Sequence, residues 1–122
     1  MIKKAFCLIM IVALIMGLYG CASSKASEYA RDRGQIAVEI TEDYITGNIT
    51  ADVARSKLSV QESMLEQYLE KQDKDSVEYQ KDTLVKTYIS SCSTAILLNV
   101  SGNQSKSHIE ETVKKLQKAI KQ

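Results

Sequence analysis

Apolar residues are distributed along the chain in two different ways. From Ala5 to Leu18 they are nearly continuous, AFCLIMIVALIMGL. From residue 28 onward they recur every three or four positions, with charged and amide residues between them. That spacing is the period of amphipathic helices. Four such segments can be traced.

The first runs from about Ser27 to Ile45 and places Tyr29, Ile36, Ala37, Ile40 and Tyr44 on one face. Ser24 or Ser27 is placed to cap it, and Gly34 inside the pattern weakens it by about 1 kcal/mol relative to alanine. Gly47-Asn48 ends it. The second opens at Thr50, a favoured N-cap, with Asp52 in the first turn at the positive helix end. Ile49 before the cap is spaced to staple onto Ala54. Its stripe is Ala54, Leu58, Leu65 and Tyr68, broadened by Val53, Met64 and Leu69 and interrupted by Gln61. It fades into EKQDKD, Glu70 to Asp75, which reads as a charged turn.

The third segment opens on Asp75-Ser76-Val77-Glu78, with Asp75 and Glu78 at capping-box spacing. Its apolar face comprises Val77, Leu84, Val85, Tyr88, Ile89, Cys92, Ala95, Ile96 and Val100. The stretch AILLNV, Ala95 to Val100, is apolar nearly all round and predicts the most buried end. Gly102 is the expected terminator. The fourth begins with the capping box Ser107-His108-Ile109-Glu110. Ile109, Val113, Leu116 and Ile120 follow at i, i+4, i+7 and i+11, with lysines opposite. None of these helices is stable alone in water, and the short turns between them favour antiparallel neighbours. The expected fold is all-α: a small antiparallel three- to four-helix bundle over residues 28–122.

Residues 1–20 have another character. Lys3 and Lys4 precede the apolar run, which is about 14 residues long. A spanning helix needs about 20. A positive cap, a short apolar core and small residues after it make a secretory signal peptide. The run ends in Leu18-Tyr19-Gly20-Cys21, which resembles the bacterial lipobox, with Leu at −3, a small residue at −1 and an obligatory cysteine. Tyr19 departs from the family, which usually carries Ala, Ser, Thr or a small aliphatic at −2. The resemblance implies cleavage between Gly20 and Cys21, diacylglycerol on the Cys21 sulfur and acylation of the new amino terminus. Residues 21–27 would then be the lipidated cysteine and a short polar tether. Each buried methylene contributes about 0.8 kcal/mol, and stable anchoring takes more than one chain, which Cys21 would carry. Ala22 provides no inner-membrane retention signal of the Asp type. The expected address is a lipid anchor in the cell membrane or outer membrane, with the domain outside the cytoplasm.

Charge adds little. Sixteen Lys and Arg face 15 Asp and Glu, and losing Lys3 and Lys4 with the leader leaves 14 basic residues. No strong field favours nucleic acid. The residues from Glu28 to Asp82 are acidic on balance. Those from Lys86 to Lys121 are basic, with Lys114, Lys115, Lys118 and Lys121 in the last segment. After cleavage and lipidation only Cys92 remains as a thiol, so no disulfide framework is expected within the chain. Cys92 lies in an apolar-periodic stretch and reads as a small buried hydrophobe.

The search for chemistry yields no catalytic, cofactor or metal-binding set. His108 is the one histidine and has no ligand partner near it in sequence. Asp73-Lys74-Asp75 begins like a calcium loop, but Val77 stands at an odd ligand position, Glu78 replaces the turn glycine, and Leu84 replaces the closing Glu. DYITGNIT fails because Ile45 stands where a ligand belongs. Ser90, Ser91 and Ser93 flank Cys92 without a base in local reach and suit close helix packing. Glu42-Asp43 and Glu110-Glu111 read as solvated faces. The expectation is therefore no enzyme, but an accessory protein of the cell envelope, held to a membrane through Cys21 and binding a partner protein through a helical face. The alternative is a lipid-tethered binding module for a small apolar or amphipathic ligand, motivated by Tyr29, Tyr44, Tyr68, Tyr79 and Tyr88, whose phenols can line a pocket with one polar end.

Overall fold

A computed structural model describes residues 25–121. The expected signal peptide, the lipobox-like motif and Cys21 lie outside the described residues. Four helices follow one another: α1 (Glu28–Ile45), α2 (Ala51–Leu69), α3 (Val77–Val100) and α4 (Lys106–Lys121).

The expected start signals mostly act as read. Ser27 caps α1, its hydroxyl accepting from Ala30 N–H, and Thr50 caps α2 by accepting from Val53 N–H. Both glycine stops have positive φ, 84° at Gly47 and 83° at Gly102. In each the two following-turn bonds of a Schellman motif form: Gly47 N–H to Tyr44 O and Asn48 N–H to Asp43 O, then Gly102 N–H to Asn99 O and Asn103 N–H to Leu98 O.

Two caps are corrected. Ser76, not Asp75, caps α3. Its hydroxyl accepts from Tyr79 N–H while donating to Asp73 O, and Asp75 N–H is taken by the Asp73 side chain. The α4 helix begins at Lys106, so Ser107 sits inside the first turn and its hydroxyl pairs with Ser105 Oγ at 2.8 Å. The Ser107–Glu110 capping box is displaced by two residues of extra helix, Lys106 and Ser107.

The helices run up, down, up and down. Tyr29 meets Tyr68, so α2 is antiparallel to α1. Arg55 reaches Ser93 and Lys86 lies 4.0 Å from Glu62, so α3 is antiparallel to α2. Lys106 donates to Ile45 O at one end while Ile120 crowds Gly34 at the other, so α4 is antiparallel to α1. The section is a rhombus: α1 and α3 touch across the short diagonal, and α2 and α4 stand apart on the long one. Small residues on α1 allow that approach. Ala30, Gly34 and Ala37 are buried, and a Cβ on Gly34 would lie 2.5 Å from Ile120 Cγ2 and 3.1 Å from Val85 Cγ1. The glycine that weakens α1 as an isolated helix is what lets it pack.

The core is continuous. Leu58 and Leu65 of α2, Val85, Ile89, Cys92 and Ile96 of α3, and Ile109 and Leu116 of α4 are fully buried. Several expectations for burial fail. Val77, Leu84 and Val100 are exposed, and so are Val53 and Leu97. AILLNV is not the most buried end: Leu97 is 44% and Val100 59% exposed, while Ala95 and Ile96 face inward. A helix covered on one side can bury one stripe only, whatever the composition of the other.

Candidate functional site

At the end of the bundle where α1 begins, one carboxyl is fully inside. Asp82 in the second turn of α3 has 0% exposure. It accepts from Ser27 N–H at 2.7 Å through Oδ1, from Ser27 Oγ at 2.7 Å through Oδ2, and from Gln72 Nε2 at 2.9 Å through Oδ2. Buried acids are rare unless they are paired, and this one is met by three donors. Ser27 thus has two roles: its oxygen caps α1 and its proton goes to α3. Ala26 is buried beside it and its carbonyl accepts from Arg31 Nε. The charged turn expected at Glu70 to Asp75 is therefore not wholly solvated, because Gln72 folds back onto Asp82.

Sequence reasoning passed over Asp82. The signal was present: Asp82, Val85, Ile89, Cys92 and Ile96 share one register, and an acid in that register is either buried or ends the stripe. Its partner, 55 residues away, leaves no local trace.

The tyrosines do not gather into one cavity. Tyr29 and Tyr68 stack with centroids 4.5 Å apart, and the Arg33 guanidinium lies 5.2 Å from the Tyr29 ring. Tyr44 donates to Asn99 Oδ1 at 2.6 Å, and Lys106 sits over its ring. Tyr79 lies beneath Lys74. Each is half-buried at the edge of the core.

Several open grooves mark the described surface. The first, about 460 Å³, crosses the outer side of α3 from Glu62 to Lys115. It is lined by hydroxyls, but Thr87 and Ser91 donate theirs to the carbonyls of Thr83 and Thr87. His108 lies at this groove, half-buried, 4.0 Å from Glu111. The second, about 400 Å³, lies between the last turn of α1 and the middle of α4. Ile45 and Val113 form its apolar lining, with Glu42, Glu110, Lys114 and Gln117 around them.

Cys92 is free and buried. Burial pushes its thiol up from 9.0 to about 11. A thiol so held is a poor nucleophile. Among the described residues no three His, Cys, Asp or Glu side chains cluster to hold a metal, and no helix is long and apolar enough to cross a membrane. Compared with protein families, curated proteins and solved structures, the chain matches none.

Proposed function

We propose that this chain is a lipid-anchored protein of the bacterial cell envelope that works by binding another protein rather than by catalysis. The lipobox-like Leu18-Tyr19-Gly20-Cys21 motivates the anchor. The observation that carries the reading further is the Ser27–Asp82 latch. Ala26 and Ser27, five and six residues after Cys21, are buried in the bundle. At about 3.4 Å per extended residue, a lipid on Cys21 holds the start of α1 within about 20 Å of the bilayer. The tether is short and its bundle end is fixed by hydrogen bonds. The attachment then presents one end of a rigid bundle to the membrane, and the Gly47 and Gly102 turns point away from it. Such a geometry suits an adaptor that displays a face at a set height.

Cys21→Ser tests the anchor. The substitution is expected to move the protein out of the membrane fraction, or to leave it as uncleaved precursor without incorporated palmitate. Unchanged size and attachment would sink the lipoprotein reading. Crosslinking in intact cells, followed by purification from solubilised membranes with Cys21→Ser as control, tests the second half. A discrete protein lost in the control is the expected result, and recovery of no protein at all would overturn the adaptor role.

A further inference from the structure

The second groove has an electrostatic oddity. Helix α1 ends with Glu42 and Asp43 in its last turn and no basic residue there. Carboxylates at a helix C-terminus face the negative end of the macrodipole, an arrangement that costs rather than contributes stability. Of these two, Glu42 lines the groove, where Glu110 of α4 joins it. None of the three acids forms an ion pair among the described residues. Lys114 lines the groove, and the nearby Lys106 is held by Ile45 O and the Tyr44 ring. An apolar lining with two unpaired acids against one lysine therefore lies at the far end of the bundle from Ser27.

The other exposed apolar residues offer no such hollow. Val53 and Val60 share one flank of α2. On α3, Val77 and Leu84 lie on one side and Leu97 and Val100 on the opposite one. Isolated apolar side chains on a polar surface are ordinary.

We infer that the groove of Ile45 and Val113 is the docking site for a partner-protein segment that offers one apolar side chain flanked by lysine or arginine. The apolar side chain fills the hollow. The flanking cations answer Glu42 and Glu110 and relieve the repulsion at the end of α1. The inference rests on the adaptor reading and gives its partner a chemistry. A second copy of this chain is the poorer occupant, because its own lysine-flanked leucine, Leu84 beside Lys115 and Lys118, lies toward the anchored end. Copies tethered in one membrane would hold that patch and the groove at different heights.

The test is a titration of the full-length chain in detergent with three synthetic helical peptides: one Leu flanked by lysines, the same Leu flanked by glutamates, and Ala in place of Leu with the lysines kept. Methyl resonances of Ile45 and Val113 report binding. The expected result is saturable shifts of these two residues with the first peptide only, weakened about tenfold by Glu42→Gln with Glu110→Gln, and strengthened by Lys114→Glu. Both acids are exposed, so the double variant should fold, and its spectrum checks that it does. No shift up to millimolar peptide, equal binding of the glutamate or alanine peptide, or shifts centred on Val60 or Leu97 would overturn the docking site. None of these outcomes bears on membrane attachment, which Cys21→Ser tests separately.

Discussion

Replacing Asp82 by alanine should damage the bundle more than removing any other acid among the described residues. The loss can be worked from its partners. Ser27 N–H and Ser27 Oγ–H are both buried and would lose their acceptor together. An orphaned buried donor costs about 1–3 kcal/mol. Gln72 is half-buried and can turn to water, so its loss is small. Against this stands the desolvation of the carboxyl, which the variant no longer bears. A net loss of about 3 kcal/mol follows. For a domain of this size 1 kcal/mol moves the melting temperature by about 4–8 °C, so the drop should be about 12–24 °C. The assay is thermal unfolding followed by far-UV circular dichroism, with Ser27→Ala and the double variant completing a cycle. Ser27→Ala alone should lose about 2 kcal/mol, combining the cap bond to Ala30 N–H with the hydroxyl bond to Asp82. The double variant should lose at least about 1 kcal/mol less than the sum, because the two share the bond being broken. A drop below about 4 °C for Asp82→Ala, or strict additivity in the cycle, would refute the latch as a source of stability.

Two further predictions concern packing. Gly34→Ala gains about 1 kcal/mol of helix propensity but drives a methyl to 2.5 Å from Ile120 Cγ2, so it should destabilise by about 1–2 kcal/mol, with Ile120→Ala restoring part of the loss in the double variant; a stabilised Gly34→Ala would show that the α1–α4 contact yields freely. The Cys92 thiol is raised by burial, so the unfolded chain releases this proton at lower pH than the folded one does. Its contribution is whole below pH 9 and is lost as pH rises toward 11, amounting to about 2–3 kcal/mol. Urea midpoints at pH 8 and pH 10.5 should fall further for the wild-type chain than for Cys92→Ala, and equal falls would contradict the assignment.

The fold was legible in the sequence where one helix could be read by itself. The caps Ser27 and Thr50, the stops Gly47 and Gly102, and the stripe Ile109, Val113, Leu116 and Ile120 all depend on residues within a few positions of one another. Failures came where a neighbour decides. Val77 and Val100 fit a helical stripe as well as Val85 does, but no facing helix covers them. Gly34 looks like a flaw until Ile120 stands opposite. The candidate sites were less legible still. Asp82 shares a register with the core but gains its meaning from Ser27, and Glu42 and Glu110 meet at one groove only because α4 returns alongside α1. Cys21 could be read only by its resemblance to a processing signal.

The latch also bears on specificity. Four amphipathic helices joined by short turns can wind into a bundle in either sense, and apolar stripes distinguish weakly between the two. In the reversed winding, or with α3 slipped by one residue, Asp82 would face apolar side chains without donors, at a cost of several kcal/mol. In the observed winding it meets Ser27 through both oxygens. The energetic gain of the native latch over an apolar substitute is small, because buried polar groups nearly cancel their own desolvation. Its gain over the wrong winding is large. Asp82→Leu with Ser27→Ala should still lose about 2–4 kcal/mol through the orphaned N–H at position 27 and the lost cap, and should in addition lose amide dispersion and near-UV signal, the marks of a bundle that no longer selects one arrangement. If the double variant kept both, side-chain packing alone would be choosing the winding, and the buried acid would serve only to hold the start of α1 in place.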